Sequence, residues 1–176
     1  MSEIKAIETL YNGYRFRSRL EARWAVFFDC IGIEYEYEPE GFDLGNGLYY
    51  LPDFYLPETN AWVEIKGKQL TEIEREKIIR FCDAKCDFVN GGAKFRLLEG
   101  QIPISLVHFN DLVGIFCFNY VSPDEFQMFP YCNKGNKLKE GILMGACWTP
   151  KCSKEKIIKG LFKARQARFE HGECGI

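Results

Sequence analysis

Residues 48–66, LYYLPDFYLPETNAWVEIK, contain the strongest strand signals of the chain. Leu48 to Leu56 and Ala61 to Lys66 are rich in aromatic and β-branched residues, which fit the half-buried surface of a pleated sheet. The residues between them, Pro57 to Asn60, have the composition and length of a hairpin loop. This stretch therefore predicts two antiparallel strands joined by a short connection.

The predicted hairpin determines which side chains meet. If Leu56 pairs with Ala61, then Asp53 lies directly opposite Glu64, with their β-carbons about 5 Å apart. Side chains alternate between the two faces of a sheet, so one face carries Leu51, Asp53, Tyr55, Trp62, Glu64 and Lys66. The opposite face carries Phe54, Leu56, Val63 and Ile65, which form an apolar surface for a core.

Two carboxylates that face each other on a half-buried sheet repel, and a cation between them removes that cost. Hard oxygen ligands suit Mg²⁺ or Mn²⁺, and Mg²⁺ usually takes one or two carboxylates while keeping positions for water and substrate phosphate. Lys66 could orient a metal-bound water or stabilise charge on a phosphorane-like transition state. Asp53, Glu64 and Lys66 are thus the parts that a phosphodiester hydrolase needs.

Helices and further strands are predicted on either side of this hairpin. Helical spacing of apolar residues predicts a first helix from Ser18 to Ile31, ended by Gly32. A capping box begins a second helix at Thr71, which runs to about Cys86, with an apolar stripe of Ile78, Ile79, Cys82 and Cys86. Further strands are predicted at 33–38, 94–98 and 104–109. The result is an α/β fold, a mixed sheet flanked by helices.

A known family shares this pattern. Pro52-Asp53, ten intervening residues and Glu64-Ile65-Lys66 resemble the motif of the PD-(D/E)XK nuclease superfamily, whose restriction-endonuclease-like core has the order helix, three-stranded meander, helix, strand. By this resemblance Asp53 and Glu64 bind metal, the Ile65 carbonyl joins them, and Lys66 assists the attacking water. The resemblance extends over roughly residues 10–110.

The first predicted helix contributes a further acid to the same resemblance. Glu21 falls where many members carry an additional catalytic carboxylate that faces the metal. Residues 16–25, FRSRLEARWA, together with the two motif segments, resemble small nucleases encoded by bacteriophages. Glu21 also closes a capping box with Ser18, so it could instead satisfy backbone N–H groups at the helix start. The sequence leaves both roles open.

Charge is unevenly distributed along the chain. Residues 133–176 hold ten Lys and Arg against four acids, whereas residues 1–132 hold thirteen against twenty-one. An acidic metal-binding core beside a basic arm suits a nucleic-acid substrate, although a solvated helix face explains the charge equally well. The candidate phosphate contacts are Arg15, Arg17, Arg19, Lys68 and Lys77.

Beyond residue 120 the regular pattern weakens. This divides the chain into a nuclease core, residues 1–120, and a small basic cysteine-containing appendage, residues 121–176. A final helix is predicted from Lys154 to Phe169, with an inner stripe of Ile157, Ile158, Leu161 and Phe162. A structural Zn²⁺ in the appendage is a further hypothesis, with candidate ligands Cys132, Cys147, Cys152, His171 and Cys174. The absence of a Cys-x-x-Cys pair departs from the usual spacing of such sites.

Taken together, the residues and the resemblance predict a Mg²⁺- or Mn²⁺-dependent endonuclease or nickase, with DNA favoured over RNA as substrate. The alternatives are an inactive module of the same fold that binds nucleic acid or protein, and an RNA-cutting nuclease. No apolar run reaches the roughly 18 residues of a membrane span, and no secretion signal opens the chain. We therefore expect no membrane partner and a cytoplasmic location, in an infected bacterium if the protein is phage-encoded. A double-strand cut would require a homodimer, because it usually needs two active sites.

Overall fold

The computed structural model describes residues 6–86, 93–100, 102, 116–118, 128–130 and 154–169. These residues form a mixed α/β structure in which helices pack against a mixed β-sheet. The helices are α1 (Arg19–Ile31), α2 (Glu72–Lys85) and α3 (Lys154–Gln166). The strands are β1 (Thr9–Tyr11), β2 (Tyr14–Phe16), β3 (Glu36–Tyr37), β4 (Phe42–Asp43), β5 (Tyr49–Tyr50), β6 (Phe54–Leu56), β7 (Ala61–Lys66), β8 (Lys94–Glu99), β9 (Phe116–Phe118) and β10 (Met128–Pro130).

The main sheet has six described strands in the order β10-β9-β8-β7-β6-β3. Strands β7 and β8 are parallel, and the other neighbouring pairs are antiparallel. A parallel pair needs a long crossover connection, and α2 lies within the segment that links β7 to β8. Two short antiparallel ribbons, β1–β2 and β4–β5, stand beside this sheet.

Helix α1 begins and ends where the sequence predicts. Ser18 is the N-cap, and its hydroxyl accepts a hydrogen bond from the backbone N–H of Glu21. Gly32 ends the helix at a φ of +77°, a left-handed conformation that glycine adopts without the strain of a Cβ atom. Of the predicted apolar stripe, Leu20 is half-buried and the other four residues are buried, namely Trp24, Phe27, Phe28 and Ile31. The prediction of an amphipathic first helix is confirmed.

Helix α2 also begins at its predicted capping box. The hydroxyl of Thr71 accepts from the Glu74 backbone, and the Glu74 carboxylate accepts from the Thr71 backbone. The stripe is partly different from the one predicted: Ile78 and Cys82 are buried, but Ile79 is only half-buried and Phe81 takes a fully buried place. The helix therefore packs through an aromatic side chain that the predicted stripe omitted.

The predicted strand from Leu48 to Leu56 is interrupted in the structure. Tyr49 and Tyr50 pair with β4, whereas Phe54 to Leu56 pair with β7. Pro52 lies at the break, where its missing N–H removes a ladder hydrogen bond. The predicted strand at 33–38 is likewise shortened to Glu36–Tyr37. The strand predicted at 104–109 lies outside the described residues.

Two apolar clusters occupy opposite faces of the sheet. The first joins α1 and α3 to Phe54, Leu56, Val63 and Ile65, as the predicted strand alternation requires. The second joins α2 and the β4–β5 ribbon to Trp62, Phe95 and Leu97. Both clusters are rich in aromatic rings, with Phe54 at the centre of the first and Phe81 at the centre of the second.

Helix α3 packs antiparallel along α1. The two helices approach closely at Gly160, where an added Cβ atom would lie 3.1 Å from Ile31 and 3.2 Å from Phe27. Leu161 is buried in the shared core, but Phe162 is 53% exposed, so its predicted place on the inner stripe is wrong. The buried face of α3 differs from the predicted apolar stripe because Gly160, which lies in the contact with α1, has no hydrophobic side chain to mark that face in the sequence.

The predicted division at residue 120 and the zinc hypothesis stay predictions. Helix α3 and strand β10 both lie beyond that residue, in the same core and the same sheet as earlier elements. The five candidate zinc ligands lie outside the described residues. Among the helices that the structure describes, none combines the length and the apolar character needed to cross a membrane.

Candidate active site

The hairpin β6–β7 has the predicted register. Phe54 pairs with Val63 and Leu56 pairs with Ala61, so one further step along the strands puts Asp53 beside Glu64. Both carboxyl groups are 3% exposed. An ionised carboxylate loses hydration on burial, and a second one beside it adds repulsion. The hairpin thus brings together two acids that need compensating partners.

Asp53 has one partner for each side-chain oxygen. Its Oδ2 accepts from the backbone N–H of Ile65 at 2.6 Å, and its Oδ1 accepts from Arg17 Nη2 at 2.8 Å. Burial, followed by the charges of Glu64 and Glu21, nevertheless raises the pKa of Asp53 well above its usual range. Burial and the neighbouring carboxylates therefore outweigh these two contacts.

Glu64 is held by two side chains. The Tyr50 hydroxyl donates to its Oε2 at 2.8 Å, and Lys66 Nζ lies 2.9 Å from its Oε1. Lys66 also contacts Glu74 Oε1 at 3.0 Å. Burial acts to lower the pKa of Lys66, but these two carboxylates raise it above its ordinary value. Lys66 is consequently protonated at neutral pH and suited to electrostatic stabilisation rather than to proton abstraction.

Glu21 is buried and fully engaged by neighbours at the start of α1. Its Oε1 accepts from the Ser18 hydroxyl at 2.6 Å, and its Oε2 accepts from the Tyr37 hydroxyl at 2.6 Å and from the Arg17 backbone N–H at 3.1 Å. These bonds match the capping role that the sequence left open. They also fix the backbone of Arg17, which enters the site by its side chain. A metal-binding role for Glu21 stays a prediction.

Four residues at the site were not predicted to act there. Tyr50 contacts Glu64, Tyr37 contacts Glu21, and Glu74 contacts Lys66. Glu38 forms an ion pair with Arg17. The Glu38 backbone also donates to the Asp53 carbonyl at 2.9 Å. The capping box was a usable signal for the position of Glu74, because it fixes the start of α2 just beyond β7.

The predicted phosphate contacts occupy different environments. Arg15 is exposed and pairs with Glu8 at 3.2 Å. Arg17 lies at the acidic pair, whereas Arg19 is half-buried in the first turn of α1. Lys68 is exposed just beyond β7, and Lys77 is half-buried on α2. Arg17 forms an ion pair with Asp53.

Helix α3 carries further basic side chains to the same end of the sheet. Arg165 Nη1 donates to the Ile102 carbonyl at 3.1 Å, and the adjoining Gly100 donates to the Lys66 carbonyl at 2.7 Å. The other side of α3 is tied to α1 by Arg23, whose Nε lies 3.5 Å from the Ala167 carbonyl. The C-terminal end of α3 therefore lies near the start of α1 and near Ile102, with Arg165 exposed on the helix and Arg168 exposed just beyond it.

The acidic pair fits a hard divalent cation in charge and in donor type. Asp53 and Glu64 offer two carboxylates, the number that Mg²⁺ usually takes from a protein. The N–H and C=O of a strand residue point toward the same neighbouring strand, so the Ile65 carbonyl also faces the Asp53 side. Within the part of the chain that the structure describes, no three His, Cys, Asp or Glu side chains are grouped as a metal site. A metal here would thus depend on two carboxylates, a carbonyl and water.

Comparisons with known proteins were made at the level of families, sequences and structures. No family model matches the chain, and the searches of curated proteins and of solved structures gave no match. The interpretation of the site consequently depends on the residues and geometry of this chain itself.

Proposed function

We propose that this protein is a metal-dependent nuclease of the PD-(D/E)XK type, an endonuclease or nickase that hydrolyses phosphodiester bonds in DNA. The observation that carries the proposal is the buried, opposed pair Asp53 and Glu64 with Lys66 on the same strand. Such a pair weakens the fold unless a cation compensates it. A protein that only needed a stable sheet would gain from apolar residues at these positions.

The residues have separable roles in the proposed reaction. Asp53, Glu64 and the Ile65 carbonyl would hold Mg²⁺ or Mn²⁺, which when bound polarises a phosphoryl oxygen and lowers the pKa of a coordinated water. Protonated Lys66 lies beside Glu64 and would stabilise negative charge that develops on the phosphoryl group. Tyr50 would orient Glu64 through Oε2, whereas Lys66 contacts the other carboxylate oxygen, Oε1. Each role requires the side chain to be held in place, and the described hydrogen bonds do so.

A nucleic-acid substrate is supported by the charges around the acidic pair. The exposed Arg165 contacts Ile102, two residues beyond Gly100, whose N–H donates to the Lys66 carbonyl at the end of β7. Exposed Arg side chains beside a catalytic centre suit the phosphates that flank a scissile bond. DNA is the preferred substrate in this proposal, and a single site acting alone would nick one strand.

The experiment that tests the proposal is cleavage of supercoiled plasmid, single-stranded DNA and RNA in Mg²⁺ or Mn²⁺. We expect Asp53→Asn, Glu64→Gln and Lys66→Ala to reduce the rate by roughly a hundredfold or more. Glu58→Gln is the matched control, since Glu58 is an exposed acid in the turn of the same hairpin, and it should cleave like the wild type. Preferential cleavage of RNA would redirect the proposal to an RNA nuclease.

One observation favours a second candidate, an inactive module that binds nucleic acid. Arg17 and Lys66 already give each carboxylate of the pair an organic cation, so the site is partly neutralised without a metal. For this candidate, DNA would bind with the same affinity in Mg²⁺ and in chelator, and no substrate would be cut. Stabilisation of the wild type by Mn²⁺, lost in Asp53→Asn, would argue against it.

A further inference from the structure

Arg17 contacts the acidic pair by its side chain alone. Its Nη2 lies 2.8 Å from Asp53 Oδ1, and its Nε contacts Glu38. The Arg17 backbone is held independently, because its N–H donates to Tyr37 Oη at 2.9 Å and to Glu21 at 3.1 Å. The guanidinium can therefore leave Asp53 by rotations of its own side chain, with the backbone unchanged.

The oxygen that Arg17 contacts is the one that a metal would need. Asp53 Oδ2 already accepts the Ile65 N–H at 2.6 Å, which leaves Oδ1 as the oxygen available to a cation. A guanidinium and a divalent ion at this one oxygen would repel each other strongly, since both are positive and the carboxyl is buried. The two cations therefore compete for Asp53.

Of the two cations at the pair, Arg17 is the one positioned to leave. Each contacts two carboxylates, but the Arg17 side chain is 55% exposed, whereas that of Lys66 is 27% exposed. An exposed guanidinium is hydrated when it leaves, so its release costs less than release of the more buried ammonium. Glu38 would keep the Arg17 Nε near the site while Nη2 is freed.

We propose that Arg17 is an exchangeable counter-ion: it occupies Asp53 in the metal-free protein, is displaced by a divalent cation, and then contacts a substrate phosphate. This inference rests on the proposed nuclease function but concerns a separate property, the order in which the site exchanges its positive charges. Arginine suits the contact with a substrate phosphate because its planar donors match phosphate oxygens. The exchange couples the formation of the phosphate contact to metal binding.

The first test is calorimetric titration of Mn²⁺ without nucleic acid, on the wild type, Arg17→Gln and Arg15→Gln. Arg15 is the matched control, because it carries the same charge two residues earlier but pairs with Glu8 at the surface. We expect Arg17→Gln to bind Mn²⁺ about tenfold more tightly, equivalent to about 1.4 kcal/mol, and Arg15→Gln to stay within about twofold of the wild type. A purely structural role for Arg17 predicts weaker binding instead.

The second test is DNA affinity in a Lys66→Ala background, which allows binding to be measured without the proposed cleavage. Adding Arg17→Gln should leave affinity nearly unchanged in chelator and weaken it about tenfold in Mn²⁺, because the guanidinium is free for phosphate only when the metal is bound. Arg17→Lys should retain part of the Mn²⁺-dependent affinity. An equal effect of Arg17→Gln with and without Mn²⁺ would refute the exchange.

The outcomes separate this inference from the proposed function. Equal or weaker Mn²⁺ binding by Arg17→Gln, with wild-type binding intact, overturns the exchange and leaves the nuclease proposal standing. Mn²⁺ binding by Arg17→Gln, with no detectable binding by the wild type, supports the exchange most strongly. Absence of Mn²⁺ binding in both proteins overturns the nuclease proposal and the exchange together.

Discussion

Replacing Leu161 by alanine should destabilise the protein strongly, whereas replacing its neighbour Phe162 should have little effect. Both side chains are large and lie on α3, yet Leu161 is 1% exposed and Phe162 is 53% exposed. Leu161 packs in the cluster that contains Phe27 and Ile31 of α1. The difference in stability between the two variants therefore measures how much the packing of α3 on α1 stabilises the core.

The expected size follows from burial. A fully buried leucine truncated to alanine loses its transfer free energy and leaves a cavity, for a cost of about 3 kcal/mol. In a chain of this length each kcal/mol changes the melting temperature by about 2–4 °C, so Leu161→Ala should melt about 6–12 °C below the wild type. Phe162→Ala should cost less than about 1 kcal/mol, because most of the ring is already in water.

The assay is thermal and urea unfolding, followed by circular dichroism and by tryptophan fluorescence. The chain has three tryptophans, of which Trp24 lies in α1 and Trp62 in β7, so their combined signal reports whether the loss on α3 reaches the core. Coincident transitions by both probes would show that α3 and α1 unfold together. A small effect of Leu161→Ala would refute the packing of α3 on α1, and a larger effect of Phe162→Ala would show that the helix is rotated toward the stripe predicted from the sequence.

Three further outcomes are expected. Tyr50→Phe removes a buried donor to the Glu64 carboxylate and should lower the free energy of unfolding by about 1–3 kcal/mol in urea titrations; no loss would mean that the hydroxyl is not engaged. Hydrogen bonds from the Thr71 backbone and from Lys66 outweigh the effect of burial and lower the pKa of Glu74 to about 2. The stabilising contribution of ionised Glu74 should therefore be complete above about pH 5 and lost as the pH falls toward 2. The stability difference between wild type and Glu74→Gln should shrink over that range, and a difference independent of pH would contradict the assignment. Burial and the Glu64 charge raise the pKa of Asp53, so the metal-free wild type should lose stability as the pH rises toward that raised pKa. Asp53→Asn lacks this loss, so its stability relative to the wild type in chelator should increase with rising pH.

The parts of the fold that local pattern determines could be predicted from the sequence. Ser18 and Gly32 bound α1 because capping and left-handed conformations have strong residue preferences. The register of β6 with β7 follows from the length of the turn between Leu56 and Ala61. These features need no knowledge of distant parts of the chain.

Tyr50 shows where strand alternation fails. Regular alternation along residues 48–56 puts Tyr50 and Asp53 on opposite faces, yet the Tyr50 hydroxyl contacts Glu64, the acid beside Asp53. The reason is the break at Pro52, after which the chain changes its partner from β4 to β7. A proline inside an apolar run was the available signal.

Other contacts depend on tertiary structure that no local pattern encodes. Arg17 and Asp53 are distant in sequence and meet because the β1–β2 hairpin delivers Arg17 to the start of α1. That hairpin has its own signal, since Asn12 and Gly13 both have positive φ at the turn and the Asn-Gly pair favours such turns. The pairing of β9 with β10 had no comparable signal and was not predicted.

The antiparallel packing of α3 on α1 has a consequence for synthesis of the protein. The α1 residues Phe27 and Ile31 leave the ribosome about 130 residues before Gly160, at the centre of the helix that covers them. Until then their apolar side chains lack part of their final cover, a state that favours aggregation or chaperone binding. Chains that terminate before Lys154 would keep the β6–β7 hairpin and its acidic pair but lose the cover over α1, so premature termination should yield insoluble fragments rather than a smaller folded protein.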